Sequence, residues 1–173
     1  MMSIEEVDHV NIQYLHASKF GNGAAVATVF AEVMGGRGVV VEVHHIADVD
    51  PRSLPAADLF VFSSPGRMGR PTRGMRRFLK DLVLPAGSRY AVLTTEMAPR
   101  PDGKTARMPT EEEICRHQRI RPIVNEMLRA KGLVKIAEEK VYVTDLKGPL
   151  EEGWREKVAA FAATIALSEP DPV

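Results

Sequence analysis

The segment Asp58-Leu59-Phe60-Val61-Phe62-Ser63-Ser64-Pro65-Gly66-Arg67-Met68-Gly69-Arg70-Pro71-Thr72-Arg73-Gly74-Met75-Arg76-Arg77-Phe78-Leu79 decides the fold. Leu59 to Phe62 is an unbroken apolar run, as expected of a strand buried on both faces of a parallel sheet. The stretch from Ser63 to Pro71 is rich in glycine and proline and reads as a loop. Beyond it, Met75, Phe78, Leu79 and Leu82 recur at helical spacing. A buried strand, a loop and an amphipathic helix in this order form half of a βαβ unit.

The same grammar extends in both directions. Upstream, Val10 to His16 is a short β-prone run closed by Gly21-Asn22-Gly23. Val26, Val29, Phe30 and Val33 then mark a helix from Ala24 to Met34, stopped by Gly35-Gly36. Val39 to Ile46 is rich in β-branched residues and makes another strand. Downstream, Tyr90 to Leu93 is a fourth strand, and Glu96 to Thr110 reads as a long loop. Glu111 to Lys131 is helical, with Thr110 as N-cap, three acids in the first turn, and Pro122 marking a kink or a junction of two helices. Gly132 closes it, Val134 to Val143 is a fifth strand, and Trp154 to Leu167 is a last amphipathic helix anchored by Trp154. Residues 168–173 read as a frayed tail.

Alternating strands and helices imply an α/β three-layer sandwich: a five-stranded parallel sheet with helices on both faces, in the order 2-1-3-4-5. In that order the loops after the first and third strands lie side by side, where ligands bind.

Length and composition agree with one domain over residues 1–173, its core about 10–167. The chain has 173 residues, 45% of them hydrophobic and 27% charged, and balances 23 basic against 23 acidic side chains. Such neutrality argues against a generally basic nucleic-acid binder. A single cysteine, Cys115, excludes an internal disulfide framework and a cysteine-based zinc site. No apolar stretch reaches the roughly 20 residues of a membrane helix, and the N-terminus is too acidic for a signal peptide. The expectation is a cytoplasmic protein without membrane insertion, with homo-oligomerisation left open.

Two loops carry the chemistry. Ser18-Lys19-Phe20-Gly21-Asn22-Gly23 separates the first strand from the first helix, a place that aims backbone N–H groups at an anion. It lacks the G-x-G-x-x-G dinucleotide fingerprint. Tyr14 to Gly23 resembles the phosphate loop of flavodoxins and flavodoxin-like FMN proteins, where Y-x-S-x-x-G-N-T is usual. Ser64 to Leu79 is similar, without a gap, to that family's S-P-T-R-F-G-N-M-P-x-Q-M-K-x-F-L segment, matching at Ser64, Pro65, Arg67, Gly69, Met75, Phe78 and Leu79. The resemblance spans roughly Val10 to Leu167.

That resemblance implies an FMN site. Ser18, Lys19, Phe20, Gly21, Asn22 and Gly23 would cradle the phosphate. Ser64, Pro65, Gly66, Arg67, Met68 and Gly69 would border the isoalloxazine ring, with the Met68-Gly69 peptide beside its N5. Thr94, Thr95, Glu96 and Met97 would approach the other side. The protein would carry electrons between redox partners. An alternative on the same fold is an FMN-dependent NAD(P)H or quinone oxidoreductase with residues 96–110 as a lid. Gly23 stands where the family usually has threonine, and Met68 where a stacking aromatic is common. Those departures favour a third alternative, a flavin-free interaction module.

Arg67, Arg70, Arg73, Arg76, Arg77 and Lys80 form a basic run without an acid before Asp81. It reads either as a solvated helix surface or as a docking patch for an acidic protein or a phosphate-bearing reductant such as NADPH. Flavodoxins that shuttle electrons usually present an acidic face there. Other signals are set aside. Cys115 and His117 point to different helix faces, and His44 and His45 to different strand faces. His16 reads as a solvated or capped histidine near the site.

Overall fold

The computed structural model describes residues 9–167, so the tail expected over 168–173 lies outside the described residues. The elements run β1 (Asn11–His16), α1 (Asn22–Gly36), β2 (Val40–His45), a 3-10 turn (Ile46–Asp48), β3 (Leu59–Ser63), β4 (Gly66–Arg67), β5 (Arg70–Pro71), α2 (Arg73–Asp81), β6 (Arg89–Met97), α3 (Glu111–His117), α4 (Ile120–Arg129), β7 (Val134–Val143) and α5 (Trp154–Thr164). The main sheet has the order β2-β1-β3-β6-β7, and every pairing in it is parallel. With the β4–β5 hairpin set aside, this is the expected order 2-1-3-4-5.

Alternating side chains divide the core into two layers. Ile12 and Tyr14 of β1 meet Val26 and Phe30 of α1 and Phe161 of α5. Ring centroids are 5.3 Å apart for Tyr14–Phe30 and 6.2 Å for Phe30–Phe161. Leu15, Phe60 and Phe62 face the opposite way, onto Met75, Phe78 and Leu79 of α2 and Val124 and Leu128 of α4. Each such side chain contributes about 1.5–3 kcal/mol when fully buried. Trp154 packs half-buried against the first layer, with the Arg155 guanidinium 4.7 Å from its ring.

Between β2 and β3, where the sequence indicates no helix, the chain makes only the 3-10 turn and an irregular stretch, and Val40 and Val43 of the edge strand are exposed. The structure departs from the sequence reading in three places. The loop from Ser63 to Pro71 folds as a two-residue hairpin. The predicted helix of residues 111–131 is two helices, and the break falls before Ile120 rather than at Pro122. Pro122 occupies the first turn of α4, where its missing N–H would have no helical partner. Lastly, β6 runs on to Met97, so Thr94, Thr95 and Glu96 are strand and pair with Lys140, Val141 and Tyr142.

The polar end of β6 is held by a network that sequence alone conceals. Glu96 is only 1% exposed; its Oε2 accepts hydrogen bonds from Thr94 Oγ1 (2.5 Å) and Arg121 Nε (2.8 Å). Arg121 Nη1 also reaches Glu138 Oε2 of β7 at 3.1 Å, and Lys135 pairs with the same carboxylate. Asn125 Nδ2 donates to Glu138 and its Oδ1 accepts the Tyr90 hydroxyl at 3.0 Å. The network locks α4 onto β6 and β7. Arg121→Met would strand the Glu96 carboxylate, so stability should fall by about 3–5 kcal/mol. This would appear as a lower urea midpoint at unchanged m. A loss below about 1 kcal/mol would show that Glu96 does not depend on this guanidinium.

Candidate functional site

Two imidazoles shape the loop after β1. Ser18 N–H donates to His16 Nδ1 at 3.2 Å, and the Ser18 carbonyl lies 3.0 Å from His45 Nε2. His45 Nδ1 accepts the Ala47 N–H at 3.0 Å, so its proton resides on Nε2 and is donated to Ser18. The two rings stand edge to face, 5.2 Å apart. His16, expected as a solvated or capped residue, is 8% exposed beneath the loop. Its burial lowers its pKa below the usual 6.5, the neighbouring His45 adds to that, and Asp48 acts in the opposite direction.

Ser18 Oγ accepts the Gly21 N–H at 3.2 Å, and Gly21, at φ 97°, turns the chain into α1. No side chain caps α1, and its first turn has no acid. The N–H groups of the first turn of this 15-residue helix are therefore left for an anion. Gly23 is buried, and a Cβ there would lie 3.2 Å from Ser18 Cβ. A side chain in that place would need Ser18 to give by a few tenths of an ångström.

The loop after β3 is tied down by hydrogen bonds. Ser64 is buried; its Oγ donates to the Pro65 carbonyl and accepts the Thr72 N–H. Gly66 pairs with Pro71 and Arg67 with Arg70, leaving Met68 (φ 52°) and Gly69 (φ 74°) as the turn. Two positive φ values are what a type I′ turn demands. Met68 bears roughly 1–2 kcal/mol of left-handed strain and is 94% exposed at the tip. The hairpin rests on the α3–α4 junction: the Gly69 carbonyl accepts the Arg119 N–H at 2.6 Å. A Cβ on Gly69 would fall 1.8 Å from the His117 carbonyl oxygen, and one on Gly66 2.2 Å from Ile120 Cδ1. Thr72 caps α2 by accepting the Met75 N–H.

Between these loops lies a cavity of about 1050 Å³. Ser18, Lys19, Phe20, Asn22 and Gly23 line one end, with Gly21 shaping the turn behind them. Pro65, Gly66, Arg67 and Met68 form a wall, while Ser64 lies buried behind it and Gly69 faces the helix junction instead. Thr95 and Met97 line the floor; Thr94 and Glu96 project from the opposite face of β6 toward α4. Arg70, Arg73 and Arg76 reach the mouth, and Arg77 and Lys80 line a separate groove of about 490 Å³ along α2.

Sequence reasoning missed the wall supplied by Val143 and Leu146 at the end of β7. Parallel register sets Val143 beside Met97, a long-range pairing with no local signature. Phe20 is 46% exposed, with the Lys19 and Lys147 ammonium groups 5.5 and 5.6 Å from its ring centroid. An aromatic thus stands at the site after all, on the first loop rather than the second. Residues 98–110 contribute nothing to the lining; Ala98 N–H and Arg100 tie them to the end of β7. Cys115 and His117 are exposed, and no cluster of metal-ligating side chains occurs among the described residues.

Among the described residues, the cavity walls hold no carboxylate, imidazole or thiol. The arrangement offers an open helix N-terminus for an anion, an apolar slot, and guanidinium groups at the mouth. It can bind and orient a partly apolar anionic ligand, and has no side-chain pair for acid–base catalysis.

No family model matches the chain, and no curated protein matches it. Solved structures do. The chain is similar to oxidised flavodoxin 2 from Bacillus cereus, at 21% identity and a TM-score of 0.66 over 89% of this chain and 96% of that one. A flavodoxin from the domain Archaea matches at 15% identity and TM-score 0.63, over 88% and 94%. A WrbA-like flavodoxin from Agrobacterium tumefaciens matches at 14% and 0.59, over 89% and 93%. The fold is flavodoxin-like.

Because folding lowers the His16 pKa, its contribution to stability is complete above about pH 6.5 and is lost as pH falls through the folded value. The thermal midpoint should therefore drop between pH 7 and 5, and that part of the drop should vanish in His16→Gln. An identical pH slope in the variant would assign the titration to another group.

Proposed function

We propose that this chain binds FMN in the cavity and carries electrons between redox partners. The observation that bears most weight is the alignment of an uncapped helix N-terminus, behind Ser18 and Asn22, with an apolar slot in one cavity. The likeness in fold to flavodoxins supports the same reading.

The terminal phosphate would sit at the start of α1, where backbone N–H groups and the helix dipole favour negative charge. Asn22 lines this end, while the Ser18 hydroxyl and the two imidazoles hold the loop in place. Pro65, Met97, Val143 and Leu146 would exclude water from the flat ring, and Phe20 offers an aromatic edge. When bound, the flavin supplies the redox chemistry; the protein supplies orientation and polarity.

A second reading, an NAD(P)H or quinone oxidoreductase, is favoured by the size of the cavity, at the upper end of small-molecule sites. Catalytic turnover of a quinone with NAD(P)H would select it over the carrier.

Titration of the apoprotein with FMN, followed by flavin fluorescence, tests the site. Ser18→Leu and Asn22→Leu should each weaken binding at least about tenfold, equivalent to about 1.4 kcal/mol, with the far-ultraviolet dichroism unchanged. Affinity unchanged from the unsubstituted chain in both variants would remove the phosphate loop from the proposal. A chain that remains colourless after exposure to FMN would favour a flavin-free interaction module.

A further inference from the structure

The chain is neutral overall, yet six cations cluster on α2 and the hairpin before it. Arg67, Arg70, Arg73, Arg76, Arg77 and Lys80 are all exposed, and none joins an ion pair among the described residues. The nearest acid in the chain, Asp81, is engaged by Arg52 at 3.6 Å. Elsewhere the guanidinium groups of Arg100, Arg107, Arg116 and Arg121 all meet carboxylates. The patch is therefore a local concentration of charge rather than the overflow of a basic protein.

Its geometry follows from α2. Residues 73, 76, 77 and 80 follow the i, i+3, i+4, i+7 spacing of one helix face, while Met75, Phe78 and Leu79 bury the other. The helix spans nine residues, roughly 13 Å. Arg73 and Arg76 line both the cavity mouth and the outer groove, making a basic ridge between them. At one end, the strained and fully presented Met68 stands between Arg67 and Arg70; Met127 lies in the groove at the other.

We infer that this ridge is the docking face for an acidic protein that exchanges electrons with the ligand in the cavity. The inference rests on the FMN reading and names its partner. Arginine and methionine are enriched in protein interfaces, and an exposed apolar anchor ringed by cations matches their anatomy. A nucleotide phosphate would be satisfied by two guanidinium groups at the cavity mouth. It would leave Arg77 and Lys80, which do not line the cavity, without a role. Nucleic acid would call for a wider basic surface with interleaved aromatics, and this patch has none. The docking polarity is thus opposite to the acidic face usual in electron-shuttling flavodoxins.

The test uses an acidic ferredoxin and the basic cytochrome c as probes of the full-length, FMN-loaded protein. Electron exchange by stopped flow should be faster with the ferredoxin at low salt and should slow steeply as salt rises. Arg77→Glu/Lys80→Glu, outside the cavity, should keep the flavin and lose at least about fivefold of the ferredoxin rate at low salt. Arg73→Glu/Arg76→Glu/Arg77→Glu should lose more and gain rate with cytochrome c. The hairpin variant Arg67→Glu/Arg70→Glu gives an independent check should α2 fail to fold. Rates indifferent to salt and to all three variants would overturn the docking face. So would a loss confined to NADPH reduction, which would assign the arginines to a nucleotide phosphate. Calorimetric titration with ferredoxin separates the two readings. Salt-sensitive binding by a chain that takes up no flavin would sink the FMN site alone, and flavin uptake without ferredoxin binding would sink the docking face alone.

Discussion

A carboxylate with almost no access to water must be neutralised where it stands, and Glu96 meets that demand through Arg121. The consequence reaches the site. Arg121 belongs to the first turn of α4, so pairing it with Glu96 and Glu138 fixes that turn against the carboxyl end of β6 and the middle of β7. Ile120 then lies under Gly66, and the Arg119 N–H under the Gly69 carbonyl. The hairpin bearing Arg67, Met68 and Arg70 is thereby held at the cavity mouth. A buried ion pair, costly to desolvate, acts here as a positional constraint more than as a source of stability.

The other side of the cavity obeys a comparable constraint with uncharged groups. One peptide of the first loop donates to a neutral imidazole and the next accepts from another, which fixes Ser18 before any ligand arrives. Holding those donors and acceptors in place leaves the N–H groups of α1 free to meet an anion. Preorganisation of this kind reduces the ordering entropy that binding would otherwise cost. The cavity is therefore electrically graded, from a helix N-terminus through apolar walls to guanidinium groups.

Much of this was legible in the chain, in proportion to how local each signal is. The apolar run Leu59–Phe62 and the stripe Met75, Phe78, Leu79 announce a buried strand and an amphipathic helix, and both occur. Thr110 and the three glutamates after it announce a helix start, and Thr110 caps α3. Thr94 to Glu96 looked like loop because its polarity masks a strand; only partners distant in sequence make a buried Glu96 tolerable. Pro122 marks a kink or a junction of two helices; two helices do meet in this stretch, but the break falls before Ile120, and Pro122 sits in the first turn of α4, where a proline breaks nothing. Gly69 looked like a residue beside a ligand. Its small size is also required by the His117 carbonyl pressed against it.

What the sequence determined by itself was the succession of strands and helices, the strand order, and the two loops that meet at the switch point. These follow from hydrophobic period and from the handedness of crossovers, which act over a few residues or are common to all such chains. Tertiary structure alone decided which side chains face the cavity. It turned Thr94 and Glu96 away, brought in Val143 and Leu146, buried His16, and set Phe20 at the edge. The reason is physical: a strand residue faces one side or the other according to register, and register is fixed by contacts made across the whole sheet.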